Sequence, residues 1–398
     1  MTESSKIALP PYETVALVLQ GGGALGSYQA GVYQGLHEAG IEPNWFAGIS
    51  IGALNAAILA GNPLERRLER LAEFWETICQ SALLPTLPFD ADLSAILGDG
   101  EVRGWAGALA SLRALIEGQR GFFTPRFPPP YLAPTPAGAT SYYDTTPLKA
   151  TLERLVDFDL LNSRHVRVSV GAVNVTNGNF TYFDNANRTL APEHFMASGS
   201  LPPGFPAIEI EGCFYWDGGL VSNTPLMEVL ARPPRRDTLA FQVDLWSARG
   251  PLPRNLFDVA ERQKDIQYSS RTRLVTDVAN EMQKLRHALR QALDLLPAEA
   301  QESPEAAALR ELACTKVYNT IQLVYRDKQF ETHSKDYEFS LTTMREHWQA
   351  GLHDIRETLK HPDWLERPKG GSGVVTHDVH RLQDQFGTAP GGADATRP

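Results

Sequence analysis

With 398 residues, 42% of them hydrophobic, the chain is long enough for about two or three domains and at least one sizeable core. A formal net charge of -10 leaves none of the cationic excess that nucleic-acid binders concentrate on one face, so no nucleic-acid partner is expected. Cys79, Cys213 and Cys314 are scattered, with neither a disulfide framework nor Cys-x-x-Cys spacing, which fits a reducing, cytoplasmic setting.

Residues 1–13 read as an N-terminal extension without the basic region and apolar run of an export signal. The apolar run from Ile49 to Gly61 falls short of the roughly 20 residues needed to cross a bilayer. Membrane contact would therefore be peripheral. An α/β unit is expected over 14–250. "TVALVLQ" (Thr14 to Gln20) is a β-branched strand, "SYQAGVYQGLHEAG" (Ser27 to Gly40) has helical spacing, and "WFAGIS" (Trp45 to Ser50) is a second strand. "IGALNAAILAGNP" is then helical until Gly61, Asn62 and Pro63 stop it. This β-α-β-α rhythm implies a mostly parallel sheet covered by helices.

Residues 81–142 break the rhythm with prolines and large apolar side chains, among them Leu83, Trp105, Phe122 and Phe123. They read as an insertion packed over the unit, either a static cap or a lid that opens over a cleft. "DTTPLKATLERLV" restores a helix, "VRVSVGAVNV" (166–175) and "NFTYFDN" (179–185) pair through a turn at Asn177-Gly178, and "LAFQVDLW" (239–246) closes the unit. From 251 to 367 helical spacing dominates, so a separate, mainly helical region is expected, with "TIQLVYR" its one strand-like run. Val278, Met282, Leu285, Leu289, Ala292 and Leu296 form an apolar stripe over Asp277 to Leu296. Its bland use is packing on the α/β unit or a second subunit; its functional use is an anionic lipid interface. The tail, 368–398, has the composition of a disordered segment.

Two short motifs carry the chemistry. "LVLQGGGALG" places Gly21, Gly23 and Gly26 as G-x-G-x-x-G after a strand, which suits either a dinucleotide turn or an oxyanion loop. "GISIG" decides between them. Gly48, Ser50 and Gly52 form G-x-S-x-G between a strand and a helix, the nucleophile elbow, where only small neighbours fit a sharp turn. A dinucleotide site needs an acid at the end of the second strand, and this chain has Ser50 there, so no cofactor is expected. Gly22, Gly23 and Ala24, with Gly21, instead turn amides toward an oxyanion. For a base, "WDGGLVSNTPL" offers Asp217 before Gly218 and Gly219, which by itself also reads as an ordinary turn. A Ser-His-Asp triad stays open, because His287, His333, His347, His353 and His361 all follow Asp217. No metal-ligand spacing is present.

"GGGALG", "GISIG" and "DGG", in this order and at these separations, resemble the patatin-like phospholipases over about residues 14–230. The helix "DTTPLKATLERL" and the run "ASGSLPPGFP" are similar as well, and the C-terminal region is similar to an extra domain of one bacterial subgroup. The resemblance implies a three-layer α/β/α fold and a Ser-Asp dyad, with Ser50 as nucleophile, Asp217 as general base and the glycine-loop amides as oxyanion donors. Where the family's loop often carries Arg, this chain has Leu25. The reading is thus a serine hydrolase of lipid or other acyl esters. The rivals are an esterase of hydroxyacid oligo- or polyesters and a non-catalytic lipid-binding protein, and an oligomer is compatible with each.

Overall fold

The structure is a computed structural model describing residues 6–80, 110–133, 139–326, 335–368 and 373–378. The strands are β1 (Thr14–Leu19), β2 (Trp45–Gly48), β3 (Arg167–Asn174), β4 (Phe180–Asp184), β5 (Ile208–Ile210), β6 (Cys213–Asp217), β7 (Thr238–Asp244), β8 (Tyr318–Val324) and β9 (Val374–Asp378). They form one sheet in the order β9-β8-β7-β1-β2-β3-β6-β5, with β4 on β3. The run from β9 to β3 is parallel, and β4, β5 and β6 are antiparallel.

Side chains of β1 alternate between two cores, as the period of two requires. Val15, Leu17 and Leu19 enter the larger core, with α1 (Ser27–Glu38), α2 (Ile51–Ala60) and α3 (Arg67–Ile78). Ala16 and Val18 enter the smaller one on the opposite face, under α6 (Leu226–Ala231) and α7 (Leu256–Asp294). Helices α4 (Thr146–Leu155) and α5 (Pro192–Ser198) complete the first face. The result is a three-layer α/β/α architecture with helices gathered in its C-terminal part.

The boundary expected near residue 250 needs correction. β8 and β9 lie beyond it, yet they extend the same sheet, with β8 hydrogen-bonded along the whole of β7. Helix α8 (Leu341–Thr358) lies against α1 in the main core. The 251–367 region is therefore fused to the α/β unit. Within the expected tail, 374–378 form β9, while 379–398 lie outside the described residues. Of the insertion, 81–109 and 134–138 lie outside them too, including Leu83 and Trp105; residues 110–117 are helical. The expected stripe on α7 also turns out differently. Val278 and Leu285 are 43% and 70% exposed, and the helix buries Thr276, Ala279 and Gln283 instead. Spacing located the helix but not its buried face, because periodicity does not reveal which side meets the sheet.

The junction of α1 and α8 is unusually close. A Cβ on Gly31 would lie 1.9 Å from the Trp348 carbonyl oxygen, and one on Gly351 2.0 Å from that of Tyr28. Around this contact the Tyr28 hydroxyl donates to Asp354 at 2.7 Å and the Trp348 indole N–H to Gln34 at 2.6 Å. Gly351→Ala must push two backbones apart, so it should cost about 1–3 kcal/mol of stability. Urea unfolding would read this as a lower midpoint at unchanged slope; an unaltered midpoint would mean that the crossing is looser than described.

Candidate active site

β2 and β6 meet tip to tip along one edge of β3. β2 pairs in parallel with 167–170 and β6 antiparallel with 172–174, while β4 occupies the other edge. Both strands thus end at the same point. Ser50 follows the tip of β2, and Asp217 is the last residue of β6.

Ser50 has φ 55° and ψ -124°, a left-handed backbone that a serine adopts only when its surroundings impose it. The imposition is steric and polar. A Cβ on Gly48 would sit 2.3 Å from the Gly52 carbonyl oxygen, and one on Gly52 2.4 Å from that of Leu19. The Ser50 N–H donates to the Ser198 hydroxyl at 3.1 Å, and that hydroxyl donates to the Gly171 carbonyl at 2.7 Å. Helix α2 starts at the next residue, so its N-terminal amides and dipole lie at the serine.

The Asp217 carboxylate accepts from the Gly219 N–H at 2.7 Å and lies beside the Ser50 hydroxyl, which favours its charged form. It is 2% exposed. Burial pushes its pKa from 3.8 up to about 7, with the Ser50 hydroxyl and the Gly219 N–H pulling the other way. A carboxyl poised near neutrality beside a hydroxyl can take a proton at physiological pH.

The glycine loop lies against this pair, with Gly21 so placed that a Cβ would be 3.0 Å from that of Ser50. Of the four amides expected to face an oxyanion, two are occupied. Gly21 N–H donates to the Asn223 carbonyl at 3.3 Å and Ala24 N–H to the Asp336 carbonyl at 3.0 Å. Gly22 and Gly23 have no such partner among the described residues. Gly26 packs on Ile51 of the elbow helix, and Gly218 on Gly171 beneath the dyad. Asn223, 3% exposed, returns its side-chain N–H to the Gly21 carbonyl at 2.9 Å, where the Trp246 indole also donates at 2.8 Å.

Sequence reading missed Ser198, Asn223, Trp246 and Asp336. The first three lay in quoted runs without a readable role; Asp336 sits far along the chain. Asp336 is itself held by Lys264 of α7, whose ammonium is 2.8 and 2.9 Å from its two carboxylate oxygens. Above the dyad a cleft of about 170 Å³ is walled by Leu54, Leu115, Phe122, Phe123, Phe205 and Phe339. None of the described lining residues is a histidine. His347 packs on Tyr325, His361 stacks on Trp364, and His287 lies against Gly373 on α7; His333 is outside the described residues. Among the described residues no cluster of His, Cys, Asp or Glu could hold a metal, and no helix is long and apolar enough to cross a membrane.

Comparison with known proteins gives the family of the chain. A family model described as Patatin-like phospholipase matches residues 17–230, and another, described as Patatin phospholipase, matches 266–371. Patatin-like phospholipase domain-containing protein 6 of Mus musculus and of Homo sapiens is 39% identical over 74 residues. That segment is 19% of this chain and only 6% and 5% of those two proteins. The crystal structure of VipD from Legionella pneumophila aligns with a TM-score of 0.39 at 14% identity, covering 90% of this chain and 70% of that one. With the first model matching more than half of its length, the chain belongs to the patatin-like phospholipase family.

Proposed function

We propose that the chain is a serine acyl hydrolase acting on lipid esters through a Ser50-Asp217 dyad. The observation that carries this reading is the meeting of Ser50 and the buried carboxylate of Asp217 at the floor of an apolar cleft. Ser50 Oγ attacks the acyl carbonyl while its proton passes to Asp217. The Gly22 and Gly23 amides face the oxyanion of the tetrahedral intermediate. Collapse expels the alcohol, which takes the proton from Asp217 and leaves the acyl group on Ser50. A water then attacks, gives its proton to the same carboxylate, and frees the acid and the serine. Every step uses one acid-base group, and no histidine is needed.

The apolar wall supports a lipid acyl chain as the group bound. Leu115 reaches the cleft from a helix whose Leu112 and Ile116 are 52% and 63% exposed, so the rim offers an apolar surface to a lipid interface. Membrane contact of this kind is peripheral.

Ser50→Ala should abolish ester hydrolysis and covalent labelling by a fluorophosphonate. Mass spectrometry of the labelled wild type would locate one adduct; an adduct elsewhere removes Ser50 from the chemistry. Asp217→Asn should lower kcat by at least about 10³-fold, since no third group compensates. For the wild type, kcat/KM should fall as pH drops below about 7, where the base becomes protonated. The same variant reports on burial. The unfolded chain releases this proton as pH rises through 3.8 and the folded chain only near 7, so wild type loses stability across that window and the amide does not. The Tm advantage of Asp217→Asn should therefore grow over that range and level off above it; a constant difference would mean an ordinary carboxyl.

Ile116→Glu should weaken hydrolysis of phospholipid vesicles several-fold while leaving a soluble short-chain ester unaffected. Equal losses on both substrates would place Ile116 in the core of the site rather than at an interface.

A further inference from the structure

Away from the cleft, several unpaired buried polar atoms belong to segments that meet around Cys314 and Tyr318. Arg235 Nε, Gln283 Oε1, His287 Nδ1 and the Tyr318 hydroxyl are each buried with no oxygen or nitrogen partner among the described residues. They come from separate elements. Arg235 lies between α6 and β7; Gln283, Arg286 and His287 are on α7; and Tyr318 opens β8. Local bonds join these segments. Cys314 N–H donates to the Arg286 carbonyl at 3.3 Å, the Gln283 amide to the Lys316 carbonyl at 2.6 Å, and Arg235 to the Glu311 carbonyl at 3.5 Å. Tyr318 is 1% exposed, and its hydroxyl lies beside the Cys314 thiol, a weak partner.

Charge is unbalanced here as well. Burial and then the neighbouring Arg235 hold the Arg286 guanidinium below its ordinary pKa. Neither arginine forms an ion pair among the described residues. Three carboxylates of neighbouring segments are engaged elsewhere: Glu228 with Arg232, Asp237 with Arg367 and Glu13 with Lys316. Two neighbouring guanidiniums without a carboxylate partner, beside an unpaired buried phenol, favour an anion.

We propose that Arg235, Arg286 and Tyr318 form a binding site for a phosphate group, presented as free phosphate or as a phosphomonoester headgroup. Guanidinium forks match phosphate oxygens two at a time, and the phenol adds a third donor. Gln283 Oε1 accepts a hydrogen bond from the P–OH group of the monoanionic form. A dianion cancels the repulsion between the arginines. Tyr318 pairs with Thr238 at the start of the parallel strands, whereas Ser50 follows the C-terminal end of β2, so the two sites lie at opposite ends of the sheet. The phosphate site is independent of the ester-cleaving reading.

The test uses the full chain and inorganic phosphate, titrated against chloride at constant ionic strength, with Tm and ³¹P line width as readouts. Wild type should show a saturable response. Arg235→Gln and Arg286→Gln should bind at least tenfold more weakly, with hydrolysis of a soluble ester unchanged. Tyr318→Phe, which removes one oxygen, should weaken binding severalfold and keeps the test decisive if either arginine variant fails to fold. Phosphatidylcholine vesicles with and without phosphatidic acid separate the sources. Binding that needs phosphatidic acid and is competed by phosphate supports the headgroup, whereas phosphate binding without vesicle binding supports the free ion. No saturable response to either, or wild-type affinity in both arginine variants, overturns the proposal.

Discussion

A strand edge can be hydrogen-bonded only once along its length, and the candidate site is built on that limit. β4 fills one edge of β3, so β2 and β6 must divide the other, one running up to the division and the other down to it. Neither strand can extend without displacing the other. The chain therefore has to turn sharply at Ser50 and at Asp217, and both turns occur at the same spot. The strained backbone of Ser50 and the burial of Asp217 are two results of one geometric constraint. The strain costs on the order of 1–3 kcal/mol, and the surrounding packing must supply it.

That supply is visible in a buried polar chain behind the glycine loop. The Trp75 indole donates to Asn55, Asn55 to the Gln29 side chain, and Gln29 to the Gln20 carbonyl at 2.6 Å. The Gln20 side chain in turn accepts from the Leu245 and Trp246 amides. The loop is thus tied on one side to helices α1, α2 and α3 and on the other to the end of β7. Such networks specify one arrangement when every member is satisfied, and they are costly when one is not. Placing the amides of Gly22 and Gly23 beside Ser50 depends on residues that touch no substrate.

The first half of the fold was legible because its signals are local. Period-two apolar runs and helical spacing announce β1, α1, β2 and α2, and a Gly-x-Ser-x-Gly between a strand and a helix carries its own steric reason. β5, β6 and β9 were not legible. They are three to five residues long and half exposed, and a short edge strand has no amphipathic pattern to read. Asp217 looked like part of a turn for the same reason. The exposed face of α7 was misread because periodicity gives the spacing of apolar residues and not what lies opposite them. Asp336 and Lys264 left no trace at all: their roles rest on contacts across more than 300 and 70 residues of sequence respectively.

The bond from Ala24 to the Asp336 carbonyl bears on how the protein is made. Synthesis runs from the N-terminus, so Ser50, Asp217 and the glycines all emerge well before residue 336. During that interval the nascent chain holds Ser50 and Asp217 but lacks the acceptor that anchors one end of the glycine loop, as well as β8 along the edge of β7. Assembly of the glycine loop is thereby tied to late arrival of the C-terminal region, with chain order itself as the timer.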